Sequence, residues 1–308
     1  MALIVFLVGP TAVGKTALSL RLAPLINAEI VSCDSMQVYK GIEIANSKPL
    51  PEERKIVRHY MLDVVSPDKE YSVADYRREA LSSIEEIRGK GKIPLIVGGS
   101  GLYFKSLLDG IFAGPSRNQE LRENLYSEAK LKGVESLYER LKDVDPEIAK
   151  RIHPHDLRRI IRALEVYSLT GTPISILQKK TAGLALQHQT VIYGLMRSRS
   201  ELYRRINERV EKMFTQGLVE EIKNLKKLKI TPIAQQCLGY REISAYLEGK
   251  LTIAEAKELL KKATRQFARR QLIWFRRDKR ISWINLDKET DLDTLAEELA
   301  KQIKQLII

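Results

Sequence analysis

The chain of 308 residues has few cysteines and no long apolar segment. Its two cysteines, Cys33 and Cys237, are far apart and have no second pair, which excludes a disulfide framework and a zinc site of the usual spacing. No stretch approaches the roughly 18 uninterrupted apolar residues of a membrane helix. A signal peptide would have a basic region before its apolar run and a cleavage site after it, and the apolar start of this chain has neither. We expect a soluble protein of the reducing cytoplasm, without a membrane partner.

Acidic residues are fewer than basic ones, 39 against 52, and the net charge is +13. Much of this excess lies in one stretch, because residues 261–280 contain nine lysines and arginines against Asp278 alone. Such a concentration favours a polyanionic partner, although basic proteins that bind no nucleic acid are common.

The first third of the chain alternates short apolar runs with helical patterns, which is typical of parallel strands with crossover helices. Strands are predicted at residues 3–8, 29–32 and 93–97, and helices at 15–25 and 73–89. From about residue 115 to 188 the strand signals give way to charged, helix-period sequence. Residues 189–196 then predict a strand that returns to the first sheet. We therefore predict an α/β fold in which residues 1–115 and 189–308 form a discontinuous P-loop NTPase-like core with a parallel sheet. Residues 116–188 form an inserted all-helical domain.

A phosphate-binding motif, G-x-x-x-x-G-K-[ST], follows the first strand and precedes the first helix. Its residues are Gly9, Pro10, Thr11, Ala12, Val13, Gly14, Lys15 and Thr16. The helix N-terminus and Lys15 would hold phosphate oxygens, and Thr16 is placed to bind magnesium. Most such loops bind a nucleoside triphosphate, so the motif alone favours ATP binding and a kinase or NTPase. No apolar strand ending in Asp resembles a Walker B element, which weighs against an ordinary NTPase.

Two further segments should reach the same end of the sheet. Asp34 follows the second strand, where a carboxylate can bind magnesium through water, accept a proton from a nucleophile or cap a turn. Ser100 lies in the glycine-rich turn Gly98-Gly99-Ser100-Gly101, which allows the backbone to approach a ligand closely.

Two arginine-rich helical segments complete the pattern. Arg158, Arg159 and Arg162 share one side of a predicted helix, with Ile160 and Ile161 nearer the other. In the basic stretch, Arg265, Arg269, Arg276 and Arg280 are spaced to line one face of a continuous helix, with Gln271 on another flank. Such stripes suit an RNA backbone, and solvated helix faces remain the alternative.

Taken together, six segments resemble the bacterial type of the tRNA dimethylallyltransferase family. They are G-P-T-A-V-G-K-T, S-C-D-S-M-Q-V-Y, G-G-S-G-L-Y, R-R-I-I-R-A-L-E-V, Q-C-L-G-Y-R-E and T-R-Q-F-A-R-R-Q, in the order found in that family. The resemblance implies magnesium-dependent transfer of a dimethylallyl group from dimethylallyl diphosphate to the N6 amine of adenosine at position 37 of tRNA. The phosphate loop would then hold the leaving diphosphate.

The resemblance also implies roles for individual residues. Thr11 to Thr16 would bind the donor, Arg209 would reach the diphosphate, and Asp34 would take the proton of the amine. Contacts to tRNA would come from Asp34, Ser35, Met36, Gln37, Ser100, Arg122, Arg158, Arg159, Ile160, Ile161 and Arg162. The helical insertion would grip the anticodon stem-loop, and a monomer is expected.

Three other functions share some of these features. A small-molecule kinase would use the loop and magnesium without arginine stripes. A non-catalytic RNA-binding module would bind tRNA without changing it. Enzymes that prenylate free adenine nucleotides are expected to have a reduced insertion, so the roughly seventy residues between 115 and 188 favour tRNA.

Overall fold

A computed structural model describes residues 3–112, 114–179 and 181–306. The chain divides into two compact units, here called the core unit (Met1–Leu108 with Leu184–Ile308) and the helical unit (Asp109–Gly183). The boundaries predicted from the sequence, at residues 115/116 and 188/189, lie a few residues from these.

The core unit contains a parallel sheet, as the sequence predicts. Its six strands, counted over the described ranges, are β1 (Leu3–Val8), β2 (Ala28–Cys33), β3 (His59–Tyr60), β4 (Ile93–Gly98), β5 (Gln189–Met196) and β6 (Ser282–Asn285). Their order across the sheet is β3-β2-β4-β1-β5-β6, and each neighbouring pair is parallel. The strand β3 was not predicted, because two residues are too few to show a pattern.

The helices fall into three groups along the chain. Before the helical unit come α1 (Lys15–Leu25), α2 (Pro51–Ile56), α3 (Val73–Gly89) and α4 (Gly101–Leu108). The helical unit contains α5 (Gln119–Lys132), α6 (Val134–Val144), α7 (Pro146–Ala149), α8 (Leu157–Thr170) and α9 (Ile174–Lys179). The core unit resumes with α10 (Leu184–Gln187), α11 (Arg199–Thr215), α12 (Leu218–Lys226), α13 (Tyr240–Leu247), α14 (Ile253–Phe275) and α15 (Leu292–Gln305). In the ranges that the structure describes, no helix is both long and apolar enough to span a membrane.

The strand β1 is apolar throughout because both faces of the sheet are covered. Ile4, Phe6 and Val8 pack into one hydrophobic cluster, and the alternate residues pack into another. Since β2, β4 and β1 are neighbours, the loops after their carboxyl ends meet at one edge of the sheet. This edge brings together three of the motifs identified in the sequence.

In the helical unit, both ends of α8 are marked by local sequence. The carboxylate of Asp156 accepts a hydrogen bond from the Arg159 N–H, and Gly171 ends the helix with a φ of 66° in the left-handed region. A side chain at that angle would be strained, so glycine is favoured there. The side of α8 that carries Ile160 and Ile161 packs into the core of the helical unit.

Candidate active site

The phosphate loop, residues 9–16, follows β1 and continues into α1. Gly9 has a φ of 146°, and a Cβ there would lie 2.7 Å from the carbonyl oxygen of Leu195 on β5. Gly14 precedes α1 with a φ of 121°. Both positions need glycine, because L-residues rarely adopt these angles. The loop therefore wraps against the N-terminus of α1, whose unpaired N–H groups favour an anion.

Lys15 turns its ammonium group back into this loop. Its Nζ donates hydrogen bonds to the carbonyl oxygens of Gly9, at 2.9 Å, and Pro10, at 2.8 Å. Burial lowers the pKa of Lys15 to about 8, an effect that the Asp34 carboxylate opposes and the Arg209 guanidinium reinforces. An anion in the loop would raise this pKa again, because it stabilises the charged form.

Three arginines of the core unit also donate hydrogen bonds to the loop. They are Arg197 (Nε to the Val13 carbonyl, 2.9 Å), Arg205 (Nε to the Ala12 carbonyl, 3.0 Å) and Arg209 (Nη1 to Thr11 Oγ1, 2.8 Å). Because carbonyl and hydroxyl oxygens carry no net charge, these bonds hold the guanidinium groups without neutralising them. Burial lowers the pKa of Arg209 to about 10, against the opposing effect of Asp34, so this arginine keeps its charge at neutral pH.

Asp34 lies directly after β2 and lines the same cavity as the phosphate loop. Its Oδ1 accepts a hydrogen bond from the Met36 N–H at 2.9 Å, which is the turn-capping role considered from the sequence. Its charge also acts on the pKa of Lys15 and of Arg209. Asp34 therefore caps a turn and also acts through its negative charge on Lys15 and Arg209.

Ser100 links the loop after β4 to the loop after β2. Its hydroxyl accepts a hydrogen bond from the Ser35 N–H at 2.8 Å and lies 3.2 Å from the Ser35 hydroxyl. Gln37 is held in the same region by the Ser32 hydroxyl, which donates to its side-chain oxygen at 2.8 Å. These contacts fix the segment after Asp34, which includes the partly buried Met36.

Packing within the protein already requires glycine in the turn at the end of β4. A Cβ at Gly98 would lie 2.0 Å from the carbonyl oxygen of Cys33, and one at Gly101 would lie 2.3 Å from the Trp274 ring. At Gly99 it would lie 2.3 Å from the side-chain nitrogen of Gln271. The expected close approach is thus made by the protein itself, through β2 and α14.

A cavity of about 820 Å³ is lined by several of these residues, and Ser35, Met36 and Ser100 are not among them. One part of its wall is polar and includes the phosphate loop, Asp34 and Arg209. Another part is apolar and includes Ile30, Ile44 and Val97. A cavity with fixed cations beside an apolar wall suits a ligand that joins an anionic group to a small hydrocarbon group.

The residues present also fit a magnesium ion held mainly by a bound phosphate ligand. Magnesium commonly uses one or two protein oxygens together with substrate phosphates and water. The partly buried Thr16 lines the cavity in the motif position that usually supplies such an oxygen. Over the described residues, no group of three or more His, Cys, Asp or Glu side chains is placed to hold a metal alone.

In the helical unit, two predicted tRNA contacts share one buried carboxylate. Arg122 donates to both oxygens of Glu165, at 2.8 and 2.9 Å, and Arg162 donates to one of them at 2.6 Å. The Glu165 side chain is fully buried. Burial by itself would raise its pKa, but the hydrogen bonds from the two arginines and from the Asn118 N–H outweigh that effect and lower the pKa to about 2. These arginines therefore also stabilise the fold of the unit.

Two of the predicted tRNA contacts on α8 are buried side chains. Ile160 and Ile161 are 0% and 1% exposed and belong to the hydrophobic core of the helical unit, so they present no surface to RNA. Their motif position reflects packing. Arg158 and Arg159, by contrast, are exposed.

The second arginine stripe is shorter than predicted. The helix α14 ends at Phe275, so Arg276 and Arg280 do not continue its face, and Arg280 pairs with Asp278 at 2.6 Å. Arg265 donates a hydrogen bond to Asn207 at 2.7 Å. The spacing was correct for a helix, but no sequence signal marked the early helix end.

Sequence reasoning missed Arg197, Arg205 and Gln271 at this site. Arg197 and Arg205 lie at and after the end of β5, which the sequence did place in the sheet, so the position of that strand could have indicated them. Gln271 was noted only as part of a flank of the later helix. The available signal was that Gln271, a polar residue, shares a flank of this helix with the apolar Trp274, which indicates a buried polar contact.

The chain matches the family model described as IPP transferase over residues 37–278. It is 48% identical to a tRNA dimethylallyltransferase of Carboxydothermus hydrogenoformans over 298 residues, which cover 96% of each chain. It is 44% identical to the protein of that name from Halothermothrix orenii, over 99% of this chain and 94% of the relative.

Solved structures give the same result. A full-length tRNA isopentenylpyrophosphate transferase from Bacillus halodurans is 37% identical, with a TM-score of 0.71 and coverage of 99% of this chain and 97% of the other. A eukaryotic dimethylallyltransferase, described as acting on tRNA, is 29% identical with a TM-score of 0.85, and the match covers 99% of this chain and 79% of that protein. With the family model matching most of its length, the chain belongs to the IPP transferase family.

Proposed function

We propose that this protein transfers a dimethylallyl group from dimethylallyl diphosphate to the N6 amine of adenosine at position 37 of tRNA. One cavity carries the proposal. Its wall contains Lys15 and Arg209, whose hydrogen bonds go to uncharged oxygens, together with the Asp34 carboxylate and an apolar surface. Relatives at 48% and 44% identity are named tRNA dimethylallyltransferase, which supports the same reaction.

In this reaction the phosphate loop binds the leaving group and no phosphoryl group moves. The bond between the allylic carbon and the diphosphate oxygen breaks as the bond from N6 to that carbon forms. Lys15 and Arg209 stabilise the negative charge that develops on the departing diphosphate. Magnesium, held by Thr16 and the diphosphate, would add further positive charge to the same group.

Asp34 acts as the base for the amine. An aromatic amine is a weak nucleophile, and bond formation leaves a positive charge on N6 until a proton departs. A carboxylate positioned at the amine can accept that proton as the new bond forms. The reaction then balances as prenylated adenosine, diphosphate and one proton passed through Asp34 to solvent.

The tRNA contacts divide between the two units. At the sheet edge of the core unit, Ser35, Met36, Gln37 and Ser100 would surround the base, which must leave the anticodon-loop stack to react. In the helical unit, Arg122, Arg158, Arg159 and Arg162 would contact RNA phosphates of the anticodon stem-loop. A monomer in the cytoplasm completes the proposal.

The test is incubation with radiolabelled dimethylallyl diphosphate and unmodified tRNA, with AMP and ATP as alternative acceptors. We expect label in tRNA and in neither nucleotide. Label in AMP in preference to tRNA would indicate a free-nucleotide prenyltransferase. ATP turnover without tRNA would indicate a kinase or ATPase.

Asp34→Asn tests the role of the base in the same assay. Asparagine keeps an oxygen for the Met36 N–H, so the turn should persist, but it cannot accept the proton. We expect turnover to fall by about 10²- to 10⁴-fold while tRNA affinity changes little. Equal losses of turnover and tRNA affinity would contradict the assignment.

A further inference from the structure

Gln271 is a buried polar residue that joins the long helix α14 to the phosphate loop. It is 7% exposed and lies 260 residues from its partner in the loop. Its Oε1 accepts a hydrogen bond from the Thr11 N–H at 2.8 Å, and its Nε2 donates to the Gly99 carbonyl at 2.9 Å. One side chain thus fixes the loop after β1 relative to the turn after β4.

Thr11 is the residue on which this contact acts. Its N–H is engaged by Gln271, and its hydroxyl accepts from Arg209. Thr11 therefore links Gln271 to the guanidinium of Arg209. A backbone N–H engaged by the protein is not available to a phosphate, so Gln271 acts on the shape of the loop and leaves phosphate contacts to other groups.

The sequence around Gly99 is consistent with a fixed place for this amide. A Cβ at Gly99 would lie 2.3 Å from the Gln271 nitrogen and 3.2 Å from the Gly9 carbonyl. The closer atom is the end of a flexible side chain, so an alanine there would displace mainly the amide, and the Gly9 carbonyl would have to shift by much less. Glycine at position 99 leaves room for Gln271 between the two loops.

We propose that Gln271 is a positioning residue that holds Thr11, and through it Arg209, in the geometry that receives a diphosphate. The identity of that ligand rests on the proposed function. Preorganisation of this kind strengthens binding because the loop does not have to order itself around the anion. The expected cost of removing Gln271 is weaker diphosphate binding in a protein that still folds.

The first test measures binding of inorganic pyrophosphate with magnesium to Gln271→Met by calorimetry. Methionine has a similar length and fills the space without accepting from Thr11. We expect the Kd for pyrophosphate and the KM for dimethylallyl diphosphate to rise about tenfold, as loss of a buried hydrogen-bonded group implies. The KM for tRNA should not change. Gln266→Met, an exposed glutamine of the same helix, is the matched control and should behave as wild type.

Gly99→Ala provides a second test that leaves Gln271 in the chain. It should weaken pyrophosphate binding to a similar degree by displacing the amide. Because both changes disrupt the same contact of Gln271, the double variant should bind pyrophosphate about as well as the single variants. Additive losses would contradict the proposal.

Other outcomes overturn the proposal directly. Unchanged pyrophosphate binding in Gln271→Met would show that the loop forms without this residue. Tighter binding would show that Gln271 competes with phosphate for the Thr11 N–H. Parallel losses of pyrophosphate and tRNA affinity would indicate a general structural role. Pyrophosphate binding does not depend on prenyl transfer, so the two proposals can fail separately. If wild-type protein binds pyrophosphate but puts no label into tRNA, the proposed reaction fails and the role of Gln271 can still be tested.

Discussion

The arginines beside the phosphate loop and those beside Glu165 have different partners. Around the phosphate loop, Arg205 and Arg209 donate to a carbonyl and a hydroxyl oxygen. In the helical unit, Arg122 and Arg162 donate to the carboxylate of Glu165. Uncharged partners fix a guanidinium and leave its charge for a ligand, whereas a shared carboxylate cancels half of the charge of the pair. The first arrangement suits anion binding. In the second, the same arginines that are predicted to bind tRNA also stabilise the fold of the helical unit.

The largest expected effect comes from breaking the first arrangement. Arg209→Gln removes a charge beside the departing diphosphate, and we expect kcat to fall about 100-fold, since charge stabilisation in the transition state is lost. Arg205→Gln is the matched comparison, because Arg205 bonds the same loop through the Ala12 carbonyl. Its loss should be nearer tenfold. Equal effects would show that general charge, and not position, matters.

Glu165→Gln tests the second arrangement. It leaves Arg122 and Arg162 without a counter-charge, and we expect the free energy of unfolding to fall by about 3 kcal/mol, as when a buried ion pair loses one partner. Denaturant unfolding measures the change. Pyrophosphate binding in the core unit should be unaffected, and a loss there would contradict the separation of roles.

The same carboxylate predicts a pH dependence of stability. The pKa of Glu165 is lowered from 4.5 to about 2, so its contribution is complete above pH 4.5 and is lost as the pH falls from 4.5 towards 2. Wild-type protein should therefore lose stability over that range more steeply than Glu165→Gln. Superimposable acid-unfolding curves would exclude this contribution.

A smaller effect is expected from Lys15. Its pKa of about 8 without ligand should rise when an anion binds, so pyrophosphate binding takes up a proton near pH 8. Affinity should fall as the pH rises above 8, by at most about tenfold per unit. Calorimetry in buffers of different ionisation enthalpy measures the proton. Lys15→Arg stays charged over this range and controls for the titration of pyrophosphate itself. If the variant and the wild type show the same pH profile of affinity, Lys15 is not the group that takes up the proton.

The smallest effect concerns Arg158, which is exposed and whose side chain makes no hydrogen bond or ion pair among the residues described. Arg158→Ala should weaken tRNA binding a few-fold, reduce the salt dependence by about one charge and leave stability unchanged. Arg162→Ala should lower both tRNA affinity and stability, because Arg162 also holds Glu165. A loss of stability in Arg158→Ala would remove the distinction.

The sequence predicted those features that depend on local patterns. The apolar run of β1 and the spacing of the phosphate loop are each encoded within a few residues, and the structure confirms the strand and the strand-loop-helix arrangement that they predict. The resemblance to the family is confirmed by the match over residues 37–278. The assignments of individual catalytic and tRNA-binding residues stay predictions.

The features that sequence reasoning missed depend on long-range contacts. Gln271 meets Thr11 across 260 residues, and no local pattern records that meeting. Glu165 appeared in the sequence only as one residue of a family motif. Its burial makes Arg122 and Arg162 its ion-pair partners, which no local pattern indicates. The resemblance implied tRNA contacts at Ile160 and Ile161, and the burial of their side chains in the helical unit shows a packing role.

The most direct test of the account compares the products of one reaction. When the protein acts on tRNA and dimethylallyl diphosphate, diphosphate released and dimethylallyl groups in tRNA should appear in equal amounts, with the label on N6 of adenosine. This result would show that the phosphate loop holds an intact leaving group. Release of orthophosphate, or diphosphate without prenylated tRNA, would contradict it.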